Sequence, residues 1–393
     1  MRDFLSARAK ALKPSGIRKY FDLVETMPDA ISLGVGEPDF VTPWEIRSAG
    51  IRSLQKGYTQ YTGNRGLLEL RTLISRYLSE RFQVEYPPEQ TIVTVGASEG
   101  IDLALRAVLE EGDEVLLPDP SYVSYSPIIS LLGGKPVPVL CTADNGFTLT
   151  RENLEAVITP RTKALILAYP NNPTGGIMTR AQLEAIVPVI EKHDLLVISD
   201  EIYAELTYGE RHVSIASLGN MRERTVLLSG FSKAFAMTGW RVGFACAPKE
   251  IDAAMLKIHQ YTMLCAPRLS QHAAVAALAG GFEDDFAEVE SMRAEYDKRR
   301  RFLVSAFNKM GLDCFEPRGA FYVFPSVEST RLTGEEFVEK LLKAEQVAAV
   351  PGSAFGACGN NFIRCSYATA FSELKEAVER ISRFVESLRK NAP

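Results

Sequence analysis

The side chain with the most chemical potential is Lys233, in Ser229-Gly-Phe-Ser-Lys-Ala-Phe-Ala-Met-Thr-Gly-Trp-Arg-Val-Gly243. Most lysines are solvated. Here the neighbours are small or apolar, so the amine is expected to be partly desolvated. Burial lowers a lysine pKa and makes the amine a nucleophile toward a carbonyl. Arg241 closes the same segment. Asp200 ends the apolar run Leu195 to Ser199, in Ser-Asp-Glu-Ile-Tyr203; alone, it reads as a turn or cap residue. Asn172, in Tyr-Pro-Asn-Asn-Pro-Thr-Gly175, reads alone as an Asn-Pro turn. Arg364 follows two apolar residues in a strand-like run, and a partly buried arginine needs an acidic partner.

Gly96-Ala-Ser-Glu-Gly100 lies between a strand pattern and a helix pattern. Free backbone N–H groups at a helix start suit a phosphate. The same five residues satisfy G-x-S-x-G, the form of a nucleophile elbow. On that reading Ser98 is the nucleophile of an α/β-hydrolase, with a later Asp and His259 or His272. No HGGG-type segment precedes it, and a hydrolase leaves Lys233, Asp200, Arg241 and Arg364 unexplained.

These residues need elements to position them. Continuous apolar runs recur at Glu114–Leu117, Lys163–Ala168, Leu195–Ser199, Thr225–Leu228 and Val242–Cys246, and a β-branched run spans Thr91–Val95. Runs without alternation suit strands buried on both faces, in a mostly parallel sheet covered by helices. Ligands of such sheets sit at the strand C-termini. Leu67, Leu70, Leu73, Ile74, Tyr77 and Leu78 mark one helical stripe, and Ile101 to Leu109 another. Thr179 to Gln182 and Thr333 to Glu336 are capping-box signatures.

The last hundred residues read as an α+β unit. A charged helix is expected from about Asp284 to Met310, then strand-like pieces at 320–324, 347–350 and 362–366, and a final helix carrying Leu374, Val378, Ile381, Phe384 and Leu388. The expected division is a large domain over 46–284 and a smaller one formed by 1–45 and 285–393.

The run from Gly230 to Gly243 resembles the cofactor-lysine motif of the class I (fold type I) pyridoxal-phosphate aminotransferases. The resemblance extends from Ser32-Leu-Gly-Val-Gly-Glu-Pro-Asp39 to Arg364-Cys-Ser-Tyr-Ala-Thr369, and is nearest to alanine-type and N-acetyl-diaminopimelate aminotransferases, with aspartate and aromatic ones close by. It implies an α/β fold with a large, mostly parallel sheet domain and a smaller α+β domain. It implies that Lys233 forms the Schiff base with pyridoxal phosphate and shuttles a proton. Asp200 corresponds to the carboxylate at the pyridine nitrogen. Tyr203 and Asn172 correspond to the donors at the phenolic oxygen. Tyr122 corresponds to the aromatic that stacks on the ring. The phosphate falls to Gly96, Ala97, Ser98, Arg241 and a hydroxyl. Some relatives carry that hydroxyl as a serine three residues before the lysine. Gly230 stands there, so Ser232 is the expected substitute. Tyr61 resembles the tyrosine that reaches the phosphate of a neighbouring subunit, which implies a homodimer with shared sites. Arg364, Asn172 and Gly36 correspond to the groups around the substrate α-carboxylate. The implied reaction moves the amino group of an amino acid to a 2-oxo acid by a ping-pong course. Near Gln260, where dicarboxylate-specific relatives supply a second arginine, none stands; Arg268 comes later. This favours a small neutral or broad donor such as alanine, with aspartate, aromatic and N-acetyl-diaminopimelate donors as alternatives.

Composition bounds the remaining readings. The 393 residues carry 44 Lys plus Arg against 49 Asp plus Glu, a net charge of −5. No positive excess exists for nucleic acid. The resemblance begins almost at the first residue, which leaves no helix-turn-helix module expected and disfavours a sensor domain of a transcription regulator. No apolar stretch is long enough for a membrane span, and the N-terminus lacks the apolar region of a secretory signal. Six scattered cysteines and four histidines show no metal-ligand spacing, so no metal is expected and the thiols read as reduced and cytoplasmic.

Overall fold

A computed structural model of the chain describes residues 2–12, 14, 16–17, 27 and 29–390. Residues 1, 13, 15, 18–26 and 28 of the expected 1–45 segment, and 391–393 at the other end, lie outside the described residues. The strands, in chain order, are β1 (Ile31–Ser32), β2 (Thr91–Thr94), β3 (Glu114–Asp119), β4 (Lys135–Leu140), β5 (Thr162–Ala168), β6 (Leu196–Asp200), β7 (Thr225–Gly230), β8 (Gly243–Cys246), β9 (Tyr322–Val323), β10 (Val347–Ala348), β11 (Val350–Pro351) and β12 (Ile363–Ser366). The helices that matter below are α1 (Trp44–Gln55), α2 (Leu68–Phe82), α3 (Gly96–Val108), α4 (Arg180–Lys192), α5 (Lys249–Thr262), α6 (Arg268–Asp284), α7 (Ala287–Lys309), α8 (Gly334–Glu345) and α9 (Phe371–Lys390).

Among the described residues the large sheet runs β2-β8-β7-β6-β5-β3-β4. The neighbours from β7 to β4 pair in parallel, while β8 runs against both β7 and β2. The apolar runs are continuous because helices cover both faces. Leu165, Leu167 and Val197 pack with Leu183, Ile186 and Ile190 of α4. Their neighbours Ala164, Ile166 and Ile198 pack on the other side with Ile101 and Leu105 of α3. Burying one such Leu or Ile stabilises the fold by about 1.5–3 kcal/mol. Both capping boxes form: Thr179 and Gln182 exchange bonds at the start of α4, and Thr333 and Glu336 at the start of α8. The strand β4 carries Pro136 and Pro138, which hid it from the apolar pattern. It is one of the two edge strands, where the missing N–H groups are tolerated.

The other end of the chain builds a smaller α+β unit. The strand β1 pairs in parallel with β10, joining the N-terminal segment to it, and β11-β12-β9 form a second small sheet. Tyr296, Leu303 and Phe307 of α7 pack there with Phe337 of α8 and Leu374, Ile381 and Phe384 of α9. Two expectations need correction. The charged helix does not begin at Asp284. Asp285 and Phe286 adopt left-handed φ of 53° and 57°, which ends α6, and α7 starts at Ala287. The break lets the Phe286 ring turn inward against Gly281, where a Cβ would collide with it. The run 347–350 is not one strand: Val347–Ala348 pairs with β1, and Val350–Pro351 with β12.

Candidate active site

The C-terminal ends of the parallel strands meet at one edge, as expected of an open α/β sheet. There they open onto a cavity of about 1000 Å³. Asp200 ends β6, and Lys233 follows the end of β7. Tyr122 follows β3, Asn172 follows β5, and Ala97 and Ser98 follow β2 at the start of α3. All of them line the cavity, together with Ser232, Tyr203, Arg241, Gly36 and Arg364.

Lys233 donates from Nζ to the Gly36 carbonyl at 2.6 Å. Burial draws its pKa down to about 8; Glu37 opposes this, while Arg364 and Arg241 add to it. The amine therefore spends a substantial fraction of its time neutral near pH 8, the form that attacks a carbonyl.

Asp200 is buried at the base of the cavity. Its Oδ2 accepts from the Tyr125 hydroxyl at 2.8 Å and its Oδ1 from the Ile202 N–H at 3.2 Å. Burial raises its pKa, and these two bonds work against the rise. Tyr203 shares a 2.9 Å hydrogen bond with the Tyr322 hydroxyl. Burial lifts the Tyr203 pKa well above its ordinary value, so the hydroxyl keeps its proton to donate.

Two glycines explain how the phosphate end can be built. Gly96 has φ +73°, and a Cβ there would lie 2.6 Å from Arg241 Nη2. A Cβ on Gly243 would lie 2.8 Å from the Ala97 nitrogen. Without side chains at both positions, the first turn of α3 and the Arg241 fork converge on one anion-binding corner. Gly96 backs this corner without lining the cavity.

Arg364 is 2% exposed. The sequence suggested an acidic partner, yet its bonds go to neutral groups: Asn172 Oδ1 at 2.9 Å and the Gly34 carbonyl at 2.5 Å. Its Nε has no hydrogen-bond partner among the described residues. The guanidinium lies 4.4 Å from the Tyr322 ring and 4.9 Å from the Phe355 ring. A buried cation with no carboxylate beside it among the described residues, facing a cavity, is a site for an anionic ligand. Gly36 leaves room for this wall, because a Cβ there would meet the Tyr322 hydroxyl at 2.7 Å.

These groups fit pyridoxal phosphate. They offer an amine, a buried carboxylate, phenol donors and an anion corner at distinct points of one cavity. The residues not recognised in the sequence are Tyr125, Tyr322 and Phe355. Tyr125 carries no motif signal beyond its nearness to Tyr122, and Tyr322 lies in an ordinary apolar run.

Other residues do not join the cavity of their own chain. Tyr61 is 77% exposed on the surface. Gln260 bonds Asn64, and Arg268 bonds Gln60. The hydrolase triad is not assembled: His259 bonds Glu99 at 2.6 Å in the interior, His272 stacks on Tyr58, and neither lines the cavity with Ser98. Among the described residues no cluster of His, Cys, Asp or Glu is arranged to hold a metal ion, and no helix is long and apolar enough to cross a membrane.

A mostly parallel sheet that brings a part-buried lysine and a buried aspartate at its C-terminal edge to one cavity with an arginine of the small sheet is the arrangement of a fold type I, pyridoxal-phosphate-dependent transaminase. The family model for aminotransferases of class I and II matches residues 28–381, and the chain belongs to that family. It is 53% identical to YugH of Bacillus subtilis, a protein named as an aminotransferase, over 98% of this chain and 99% of that one. It is 45% identical to an aspartate aminotransferase of Pyrococcus abyssi, over 96% and 97% of the two chains. Among solved structures, the aromatic aminotransferase of Pyrococcus horikoshii superposes with a TM-score of 0.90 at 45% identity, covering 94% of this chain and 99% of that one.

Proposed function

We propose that this transaminase takes the amino group of a neutral amino acid, such as alanine, or of a broad set of donors, and passes it to a 2-oxo acid by a ping-pong course. The observation that carries the reading is Arg364, buried without a carboxylate and opening on the same cavity as Lys233. Among the described residues, the cations lining that cavity are Lys233, Arg241 and Arg364. The amine, the phosphate and the α-carboxylate account for these three, which leaves none of the described cations for a distal carboxylate. That favours a neutral side chain over aspartate; aromatic and N-acetyl-diaminopimelate donors are the other readings.

Pyridoxal phosphate supplies an aldehyde that condenses with an amine and a ring that takes up the electron pair left on the α-carbon. The protein's part is positional and electrostatic. Lys233 would hold the cofactor through Nζ, and its amine, when free, would move the proton at the substrate α-carbon. The Asp200 carboxylate would pair with a protonated pyridine nitrogen. Tyr203 and Asn172 would hold the phenolic oxygen, and Tyr122 would bound the ring. Ala97, Ser98, Ser232 and Arg241 hold the phosphate, with Gly96 shaping the turn. Arg364 grips the α-carboxylate as a fork beside Asn172 and the Gly36 backbone.

The working unit in this reading is a homodimer in which Tyr61 reaches the neighbouring subunit's phosphate. The exposed apolar side chains of Tyr61, Leu68, Tyr261 and Met263 support such a contact. The proposed domains are 46–284 and the pair 1–45 with 285–393, in a cytoplasmic protein.

The test is a screen of amino donors against pyruvate and 2-oxoglutarate. Alanine or other neutral donors should be used at least tenfold better than aspartate. A clear preference for aspartate would overturn the donor assignment, and full turnover by Lys233→Ala would overturn the mechanism.

A further inference from the structure

The loop that carries Tyr61 is tied down on both sides of it. Tyr58 is stacked against His272, with ring centroids 5.0 Å apart, and lies 4.8 Å under the Arg268 guanidinium. Arg268 Nη1 also donates to Gln60 Oε1 at 3.3 Å. Beyond Tyr61, Gln271 Nε2 donates to Thr62 Oγ1 at 3.2 Å, and Gln271 Oε1 accepts from the Leu67 N–H at 2.7 Å. Asn64 Nδ2 then donates to the Leu264 carbonyl at 2.8 Å. These anchors belong to the start of α6 or the turn before it, and Gln260 of α5 adds a bond to Asn64. Between these fixed neighbours the Tyr61 ring is left 77% exposed.

A flexible loop would lose conformational entropy each time Tyr61 engaged a ligand. A loop clamped in advance loses much less. We infer that Arg268 is a positioning residue: it holds the 58–62 loop so that Tyr61 is presented, in trans, to the phosphate of the neighbouring subunit. The guanidinium suits this task, since it lies over the Tyr58 ring while its Nη1 donates to Gln60. The inference rests on the shared-site reading proposed above, and gives that reading a device within the subunit that donates the tyrosine.

The experiment is a titration of Arg268→Ala and, as reference, Tyr61→Phe with pyridoxal phosphate. The visible absorbance of Lys233-bound cofactor reports affinity, and sedimentation reports the dimer. Both variants should bind cofactor about tenfold more weakly as intact dimers, the effect of one lost charge-assisted hydrogen bond. A mixed dimer of Lys233→Ala and Arg268→Ala chains then separates the mechanisms. Its one lysine-bearing site lies in the Arg268→Ala subunit and takes Tyr61 from the other, whose Arg268 is intact, so its affinity should return to that of the unaltered protein. A mixed dimer as weak as the Arg268→Ala homodimer would overturn the inference. So would an unaltered affinity in Arg268→Ala beside a weakened Tyr61→Phe, which leaves the shared site standing. An unaffected Tyr61→Phe would remove the shared site itself, and the inference with it. Should Arg268→Ala fail to form dimers, Gln60→Ala, which deletes the same bond from the loop side, is put through the same titration and mixed-dimer pairing, with the same outcomes deciding.

Discussion

The Tyr125 hydroxyl donates to the Asp200 carboxylate at 2.8 Å, at the base of the cavity. Burial makes the charged form of Asp200 costly, and this bond is one of two that support it. Tyr125→Phe removes the donor without changing the shape of the ring. The Asp200 pKa should rise further, and because the carboxylate is the working form, the acid limb of kcat/KM should move to higher pH. A hydrogen bond to a charged group is worth about 1.5–3 kcal/mol, so kcat at neutral pH should fall about tenfold or more. A pH–rate profile superimposable on that of the unaltered enzyme would remove Tyr125 from this role.

Lys233 offers a test that needs no turnover. With its pKa drawn down to about 8, its amine in the cofactor-free protein should react with an aldehyde along a curve with its midpoint near pH 8. Surface lysines should follow at about 10.4. Borohydride trapping and peptide mass spectrometry give the site-specific rates. Glu37 favours the charged form, so Glu37→Gln should lower the midpoint; Arg364 disfavours it, so Arg364→Ala should raise it. Stability has a definite sign as well. Between about pH 8 and 10.5 the unfolded lysine keeps a proton that the folded one has lost, so Lys233 makes the cofactor-free protein more stable as pH rises through that window. A Lys233 midpoint above 10 contradicts the burial argument.

Arg364 should separate binding from stability. Arg364→Ala is expected to raise KM for the amino donor about 10- to 100-fold, the effect of a lost paired hydrogen bond to a carboxylate, while cofactor retention stays the same. Arg364→Met keeps the apolar volume between Tyr322 and Phe355 and removes a desolvated charge with no acidic partner. It should raise the Tm of the substrate-free protein by a few degrees while losing activity. A lower Tm would mean that the bonds to Asn172 and Gly34 outweigh the desolvation cost.

The sheet was readable because both of its faces are covered, which makes the strands continuous apolar runs. The edge strand β4 escaped that rule, since half of it faces solvent and it contains two prolines. Asp200, Lys233 and Arg241 were legible because motif and strand end coincide. Tyr125 and Tyr322 were not. Each is buried like a core tyrosine, and what sets it apart is a hydroxyl bonded to a residue 75 or 119 positions away. Periodicity reports the face of an element, not which distant side chain that face meets. The end of α6 was hidden for a related reason: the left-handed pair at Asp285 and Phe286 carries no glycine or proline, and it turns the Phe286 ring onto Tyr77 and Phe235, which are distant in sequence.

The family resemblance leads to a phosphate-binding serine at the position of Gly230, and the backbone explains why glycine stands there instead. Gly230 pairs with Gly243 across β7 and β8, and a Cβ on Gly230 would lie 2.8 Å from the Gly243 Cα and 3.1 Å from the Val242 carbonyl. Both obstacles are backbone and cannot rotate away. Gly243 is itself pressed against the start of α3, so the strain would pass directly to the anion-binding corner. Gly230→Ser should therefore act as overpacking, destabilising the protein by about 1–3 kcal/mol, and should weaken cofactor binding instead of strengthening it. Ser232→Ala, which deletes a hydroxyl already lining the cavity, should weaken cofactor binding with little loss of Tm. Melting curves and cofactor titrations on the two variants give the comparison. Tighter cofactor binding by Gly230→Ser at unchanged Tm would show that the two strands can part enough to admit the side chain.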